Sequence, residues 1–139
     1  MRFWDSSAVV PLLVRQKSSA TVDAWLEADP GVALWTLSPI EIVSALWRLV
    51  REGALPEEDA LRGESRSGEL VAASHVVVDI EAVKLRAGRV LRVHPLRAAD
   101  ALQLAAALVW GGDQPRDRIL HTLDDRLAAA ARREGFVVP

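Results

Sequence analysis

The chain has no cysteine. Disulfides, thiol catalysis and cysteine-bound zinc or iron–sulfur centres are therefore excluded. No apolar run approaches the ~20 residues that a membrane helix needs. No basic segment at the N-terminus leads into an apolar stretch with a cleavage site. A cytoplasmic protein without a membrane span is expected. Lysine is scarce, with only Lys17 and Lys84, while arginine is abundant; asparagine is missing and Met1 is the single methionine. Thermophile proteins show such a depletion of thermolabile residues, and a GC-rich genome leaves much the same bias. Charge of one sign is lacking too: 17 Lys and Arg stand against 19 Asp and Glu, a net charge of −2. Overall charge thus gives no attraction to nucleic acid, and any such binding must come from local basic patches or bound metal ions. There is no Gly-x-x-x-x-Gly-Lys phosphate loop and no Gly-x-Ser-x-Gly elbow. His75, His94 and His121 are scattered and lack zinc-ligand spacing.

What is present fits one domain spanning 1–139. Half of the 139 residues are hydrophobic and 26% are charged, in the range of a globular protein with its own core. The pattern alternates strands and helices. Residues 1–5 read as a short buried strand, and Ser6 or Ser7 as the cap of a helix through Leu13. A helix over 19–28 stops at Asp29-Pro30-Gly31. Residues 32–37 have strand character. Ser38-Pro39-Ile40-Glu41 opens a helix to Glu52 with Gly53 as its stop. Pro56 opens a further helix to about Ala73. Residues 76–79 form a β-branched strand, 80–93 a helix broken by His94-Pro95, and 98–110 a helix. Residues 119–123 read as a strand, 125–133 as a helix and 136–138 as a last strand. Strands separated by helices imply an α/β fold, a three-layer sandwich whose central, mainly parallel sheet is flanked by helices.

Four acids sit where this fold gathers ligands, beyond the carboxyl ends of parallel strands. Asp5 and Asp124 end strands; Glu41 and Asp100 lie in the first turns of helices. Each has a purely structural alternative. Glu41 completes a capping box with Ser38, Asp124 can cap the last helix, Thr122 and Asp125 form another such pattern, and Asp5 can cap the first helix. Asp100 is harder to place as a plain surface residue. Its helix, Ala98-Ala99-Asp100-Ala101-Leu102-Gln103-Leu104-Ala105-Ala106-Ala107-Leu108-Val109-Trp110, is otherwise polar only at Gln103. A helix apolar all round is buried. The helix dipole gives a carboxylate only about 0.3–1 kcal/mol, well under the cost of burying it without a partner. Arg97 or a metal ion would meet that need. Carboxylates converging from distant parts of a chain suit hard cations such as Mg²⁺ or Mn²⁺. Metal-assisted phosphodiester hydrolysis is the chemistry they suggest.

Four segments carry a resemblance. They are Asp5-Ser6-Ser7-Ala8-Val9-Val10, Ser38-Pro39-Ile40-Glu41-Ile42, Leu96-Arg97-Ala98-Ala99-Asp100-Ala101-Leu102-Gln103 and Thr122-Leu123-Asp124-Asp125-Arg126-Leu127. No single one is specific. Together, in this order and over nearly the whole chain, they resemble the acidic motifs of PIN-domain ribonucleases, most of all the VapC toxins of VapBC toxin–antitoxin pairs. The resemblance implies that Asp5, Glu41, Asp100 and Asp124 hold one or two Mg²⁺ or Mn²⁺ ions. Asp5 and Asp100 would be direct ligands, while Glu41 and Asp124 would act through water or complete a second site. Ser6 and Thr122 match supporting hydroxyl positions. The implied partners are an RNA substrate, a cognate antitoxin protein and a second copy in a homodimer. Arg48 and Arg51, sharing a face with Glu41, and Arg97 are candidates for RNA contact, as are Arg15 and Lys17; a charge stripe is also simply what a solvated face looks like.

The tryptophans at 4, 25, 35, 47 and 110 invite a base-stacking reading, but their apolar settings favour packing in a core or dimer interface. Segments 40–50 and 98–110 fit either a surface that binds another helix or the core. Rival functions are a PIN-like RNA-processing nuclease outside a toxin–antitoxin pair and a non-catalytic α/β interaction module. A phospho-acceptor receiver-like module would need a late lysine after a strand, and neither lysine is so placed.

Overall fold

The computed structural model describes residues 1–139. Four short strands, β1 (Arg2–Trp4), β2 (Val32–Trp35), β3 (His75–Val77) and β4 (Leu120–His121), form one sheet in the order β3-β2-β1-β4. Every pairing is parallel. Seven helices connect them: α1 (Ser6–Leu13), α2 (Ser19–Ala28), α3 (Ser38–Arg51), α4 (Glu57–Ala72), α5 (Ile80–Val93), α6 (Ala98–Trp110) and α7 (Asp125–Glu134).

Alternation along the strands sorts the core onto two faces. Phe3, Ala33 and Trp35 face a cluster with Val83, Leu104, Leu108 and Leu127 from α5, α6 and α7. Trp4, Val32 and Leu34 face Val9, Val22, Ile42 and Leu46 from α1, α2 and α3. Two helical layers thus enclose the sheet, as parallel strands require. The chain leaves β1 toward β2 and β3, then returns to place β4 on β1's other side. This reversal opens a crevice between β1 and β4, the position where such sheets gather ligands. Trp4 pairs with His121, so the next residues, Asp5 and Thr122, flank that crevice.

The structure corrects several expectations. Asp5, not Ser6 or Ser7, caps α1, its carboxylate accepting from the Ser7 N–H. The capping box at Ser38 and Glu41 does not form: Leu37 is the cap of α3 and makes no side-chain cap bond. The last strand is reduced to one parallel bridge between Val137 and Ile119, and β4 is only two residues long. β3 begins at His75 and ends before Val78. Segment 98–110 is core, with seven of its residues buried, Gln103 among them.

The tryptophans pack. Trp4 and Trp35 are fully buried, Trp110 lies against Phe3, and the Trp47 indole donates to Glu64. His121 is buried too, stacked on Trp25 and tilted against Trp4. Burial and the nearby Arg2 cation push its pKa down to about 4. The imidazole is therefore neutral at physiological pH and part of the packing.

Candidate active site

Asp5, Glu41, Asp100 and Asp124 come from the end of β1, the first turn of α3, the first turn of α6 and the cap of α7. Among them, Glu41 and Asp100 feel the charges of other acids. Asp5 and Asp100 act on Glu41, and Asp124 and Asp5 act on Asp100. No three of them close into one compact coordination sphere; Glu41 lines one cleft, Asp100 and Asp124 line an adjoining one that shares Arg48 with it, and Asp5 is buried and lines neither.

Asp5 is almost fully buried. Its Oδ2 accepts from Ser7 Oγ at 2.5 Å, Thr122 Oγ1 at 2.9 Å and the Ser7 N–H at 3.2 Å. Its Oδ1 has only a 3.4 Å contact from Ser6 Oγ. Glu41 repeats the pattern. Its Oε2 accepts from Ser6 Oγ at 2.8 Å and from Gln103 Nε2 at 3.1 Å, and Oε1 takes no bond. Asp124 uses Oδ1 to cap α7 through the Leu127 N–H at 2.8 Å, leaving Oδ2 unclaimed. Asp100 has no side-chain donor and forms no ion pair. The capping and site readings of Asp5 and Asp124 are therefore compatible, because one oxygen of each carboxylate caps a helix and the other is left over.

Burial pushes the Asp5 carboxyl above its ordinary range, outweighing the hydroxyls and N–H groups that favour the anion. Burial likewise raises Glu41, opposed by Gln103 and Ser6 and reinforced by Asp5 and Asp100. Asp100 is raised by burial and then by Asp124 and Asp5, against a smaller pull from Arg97. Desolvation produces this pattern at all three, and like charges add to it at Glu41 and Asp100. None of the four forms an ion pair with a lysine or arginine. The donor set, carboxylate oxygens without an ion-paired counter-charge, three of the four held by neutral donors, fits a hard divalent cation.

Two supporting residues escaped the sequence. Gln103 is buried and bonded to Glu41 and, at 3.1 Å, to Ser38 Oγ; its only signal was being the second polar residue of α6. Ser7 joins Asp5, Thr122 and, by accepting at 2.9 Å, the Leu123 N–H. Of the two expected hydroxyls, Ser6 bridges Asp5 and Glu41, and Thr122 both donates to Asp5 and accepts from the Asp124 N–H at 3.1 Å. Thr122→Val keeps the shape but leaves that N–H without its acceptor, at about 1–3 kcal/mol. Any activity of this cleft is expected to fall about 10–100-fold in Thr122→Val, as for residues that orient metal ligands. Thr122→Ser is expected to restore most of it, and turnover of the two variants side by side checks this.

Arg48 lines the cleft on the Glu41 side and also the central one, of about 700 Å³, that holds Asp100 and Asp124. Arg97 lines the central cleft. Arg51 is exposed and lines neither; Arg15 borders a separate hollow beside α4.

Fold and cleft define a three-layer α/β protein with acidic residues gathered at the carboxyl ends of its strands. The sequence model described as the PIN domain matches residues 2–133. Ribonuclease VapC45 of Mycobacterium tuberculosis (strain CDC 1551 / Oshkosh) is 33% identical over 125 residues, covering 86% of each chain. Ribonuclease VapC49 of the H37Rv strain matches to the same extent. Among solved structures, PAE2754 from Pyrobaculum aerophilum superposes with a TM-score of 0.67 at 23% identity, over 99% of this chain and 87% of that one. A toxin–antitoxin complex from Klebsiella pneumoniae gives 0.65 at 15%, over 92% and 91%. FitAcB from Neisseria gonorrhoeae gives 0.66 at 17%, over 99% and 96%. The chain belongs to the PIN-domain family, and its curated relatives there are VapC ribonucleases.

Proposed function

We propose that this protein is a Mg²⁺- or Mn²⁺-dependent endoribonuclease of the VapC type, the toxin of a toxin–antitoxin pair. The observation that carries the reading is the row of four acids from four separate elements, with unclaimed carboxylate oxygens and no basic partner. A bound divalent cation would supply Lewis acidity and a more acidic water for attack on phosphorus. Asp5 and Asp100 would hold it directly, with Glu41 and Asp124 acting through water or completing a second site. Ser7 and Thr122 fix the orientation of Asp5, as Ser6 and Gln103 fix that of Glu41, so the acids are set before substrate arrives. Arg48 and Arg97, at the rim, would attract the RNA backbone to a cleft that otherwise repels it.

The ribonuclease names of the relatives support RNA as substrate, and the toxin–antitoxin complex among the structural neighbours supports an antitoxin partner. A homodimer fits the exposed Val78, Ile80 and Leu85 beside the edge strand β3. The test is incubation of purified protein with a panel of structured RNAs in Mg²⁺, Mn²⁺ or EDTA. Discrete cleavage with either ion and none with EDTA is expected. Cleavage undiminished by EDTA contradicts the metal-dependent reading; no cleavage by folded, metal-binding protein restricts it to a narrower substrate than the panel holds.

A further inference from the structure

Three clefts run in series across this molecule. The cleft beside Glu41 and the central cleft share Arg48. The central cleft and a third one, beside His94, share Asp125 and Arg126. Arg133 borders the far end of the third. Along α7, Arg126, Ala129, Ala130 and Arg133 all line this third cleft, and their i, i+3, i+4, i+7 spacing makes them one stripe of the helix. The two alanines leave the space between the arginines open. Seven residues of helix separate Arg126 from Arg133 by ~10 Å along the axis.

The arginines of this series are uncommitted, as are Arg51, Arg92 and Arg116 outside it. Arg2, Arg15, Arg62, Arg86 and Arg89 form ion pairs with acids. Arg66 and Arg132 donate to backbone carbonyls. Arg48, Arg97, Arg126 and Arg133 form no ion pair and no hydrogen bond. Asp125 is the one acid that lines the third cleft; Glu134, next to Arg133 in sequence, is already paired. It accepts from His94 Nε2 at 2.7 Å and from Arg89 at 2.5 Å. Free guanidinium groups spaced along a connected run of clefts are what a nucleic-acid backbone needs.

We infer that the third cleft is a backbone-binding track for single-stranded RNA. Arg126 and Arg133 hold phosphates of the strand on one side of the acidic row, and Arg48 holds the strand on the other. The inference rests on the acidic row being the phosphodiester site and adds where the flanking RNA lies. The contacts are to phosphate, so they set affinity and register and carry no base preference.

The test is binding of a labelled single-stranded RNA to Asp100→Asn protein, by fluorescence anisotropy over a range of salt, with and without Arg126→Gln and Arg133→Gln together. Each lost phosphate contact lowers the slope of log K against log salt by about 0.7 on a single strand. A loss of about 1.4 for the pair is expected, with affinity reduced alike for unrelated sequences. Arg133→Lys is expected to keep most of the slope that Arg133→Gln loses. Unchanged affinity and slope in the double variant overturn the track and leave these arginines to a protein partner. Cleavage by the otherwise wild-type protein is followed in parallel. If it persists while the slope is unchanged, the track alone fails. If the wild type neither cleaves nor binds RNA, the reading of the acidic row fails and the track with it.

Discussion

Asp100→Asn is expected to abolish RNA cleavage while the protein stays folded. The substitution keeps size and shape but removes the charge that a cation would meet. Loss of a residue that merely orients a metal ligand costs about 10–100-fold, so a direct ligand is expected to cost more, at least ~10³-fold in turnover. The stability of the metal-free protein is expected to move the other way. Asp100 is disfavoured as an anion by burial and by Asp124 and Asp5, and asparagine relieves all three effects. The amide forgoes a helix-dipole contribution of about 0.3–1 kcal/mol, which trims the gain. The expected Tm without metal at neutral pH is therefore at, or a few degrees above, that of the wild type. This opposition of activity and stability is typical of groups kept for function. Circular dichroism melts beside the cleavage assay check it; an active variant, or one that melts far below the wild type, contradicts the assigned role.

The second large effect concerns pH and metal together. Asp5, Glu41 and Asp100 all have folded pKa values raised above their ordinary values of 3.8 and 4.5. A raised carboxylate favours the fold below its unfolded pKa, where both states are protonated. That advantage is lost as pH rises through the folded value. At neutral pH the metal-free acids thus weigh against folding, and a bound cation offsets them. Saturating Mn²⁺ at about 100 times its Kd adds about 2.7 kcal/mol. A Tm increase of several degrees is expected at neutral pH, shrinking to nothing near pH 4 as the ligands protonate. His121 titrates in the opposite sense. Its pKa, lowered from 6.5 to about 4, makes stability fall as pH drops through that window. Both forms carry the same His121, so the difference between metal-loaded and metal-free melts cancels it. Scanning calorimetry at neutral pH and near pH 4, with and without Mn²⁺, is the check.

Periodicity located the long elements well because each helix has a clear stop. Asp29-Pro30-Gly31 ends α2, His94-Pro95 ends α5 and Gly111-Gly112 ends α6. The short parallel strands were less legible. Residues 136–138, Phe-Val-Val, are apolar and rich in strand-forming side chains, yet only Val137 pairs with another strand position, at Ile119. Pairing depends on distant partners that local pattern does not contain. Asp100 could be picked out as an acid that burial alone would not tolerate, whereas Asp5, Glu41 and Asp124 each had a capping role open to them and stood out only as members of the four-motif set. Their supports could not be picked out, since Gln103 reaches Glu41 across 62 positions and Thr122 reaches Asp5 across 117. Ser38 shows the reverse error. Its local pattern suggests a cap, while the folded chain turns its hydroxyl inward to Gln103.

The central claim is that four acids from distant segments act as one cation site. Titration calorimetry with Mn²⁺ at neutral pH, on the wild type, Asp5→Asn and Asp100→Asn, tests it most directly. Saturable binding by the wild type, weakened at least ~10-fold in each variant, is the predicted result. Equal affinity in all three proteins, or no binding by folded wild type, would contradict it.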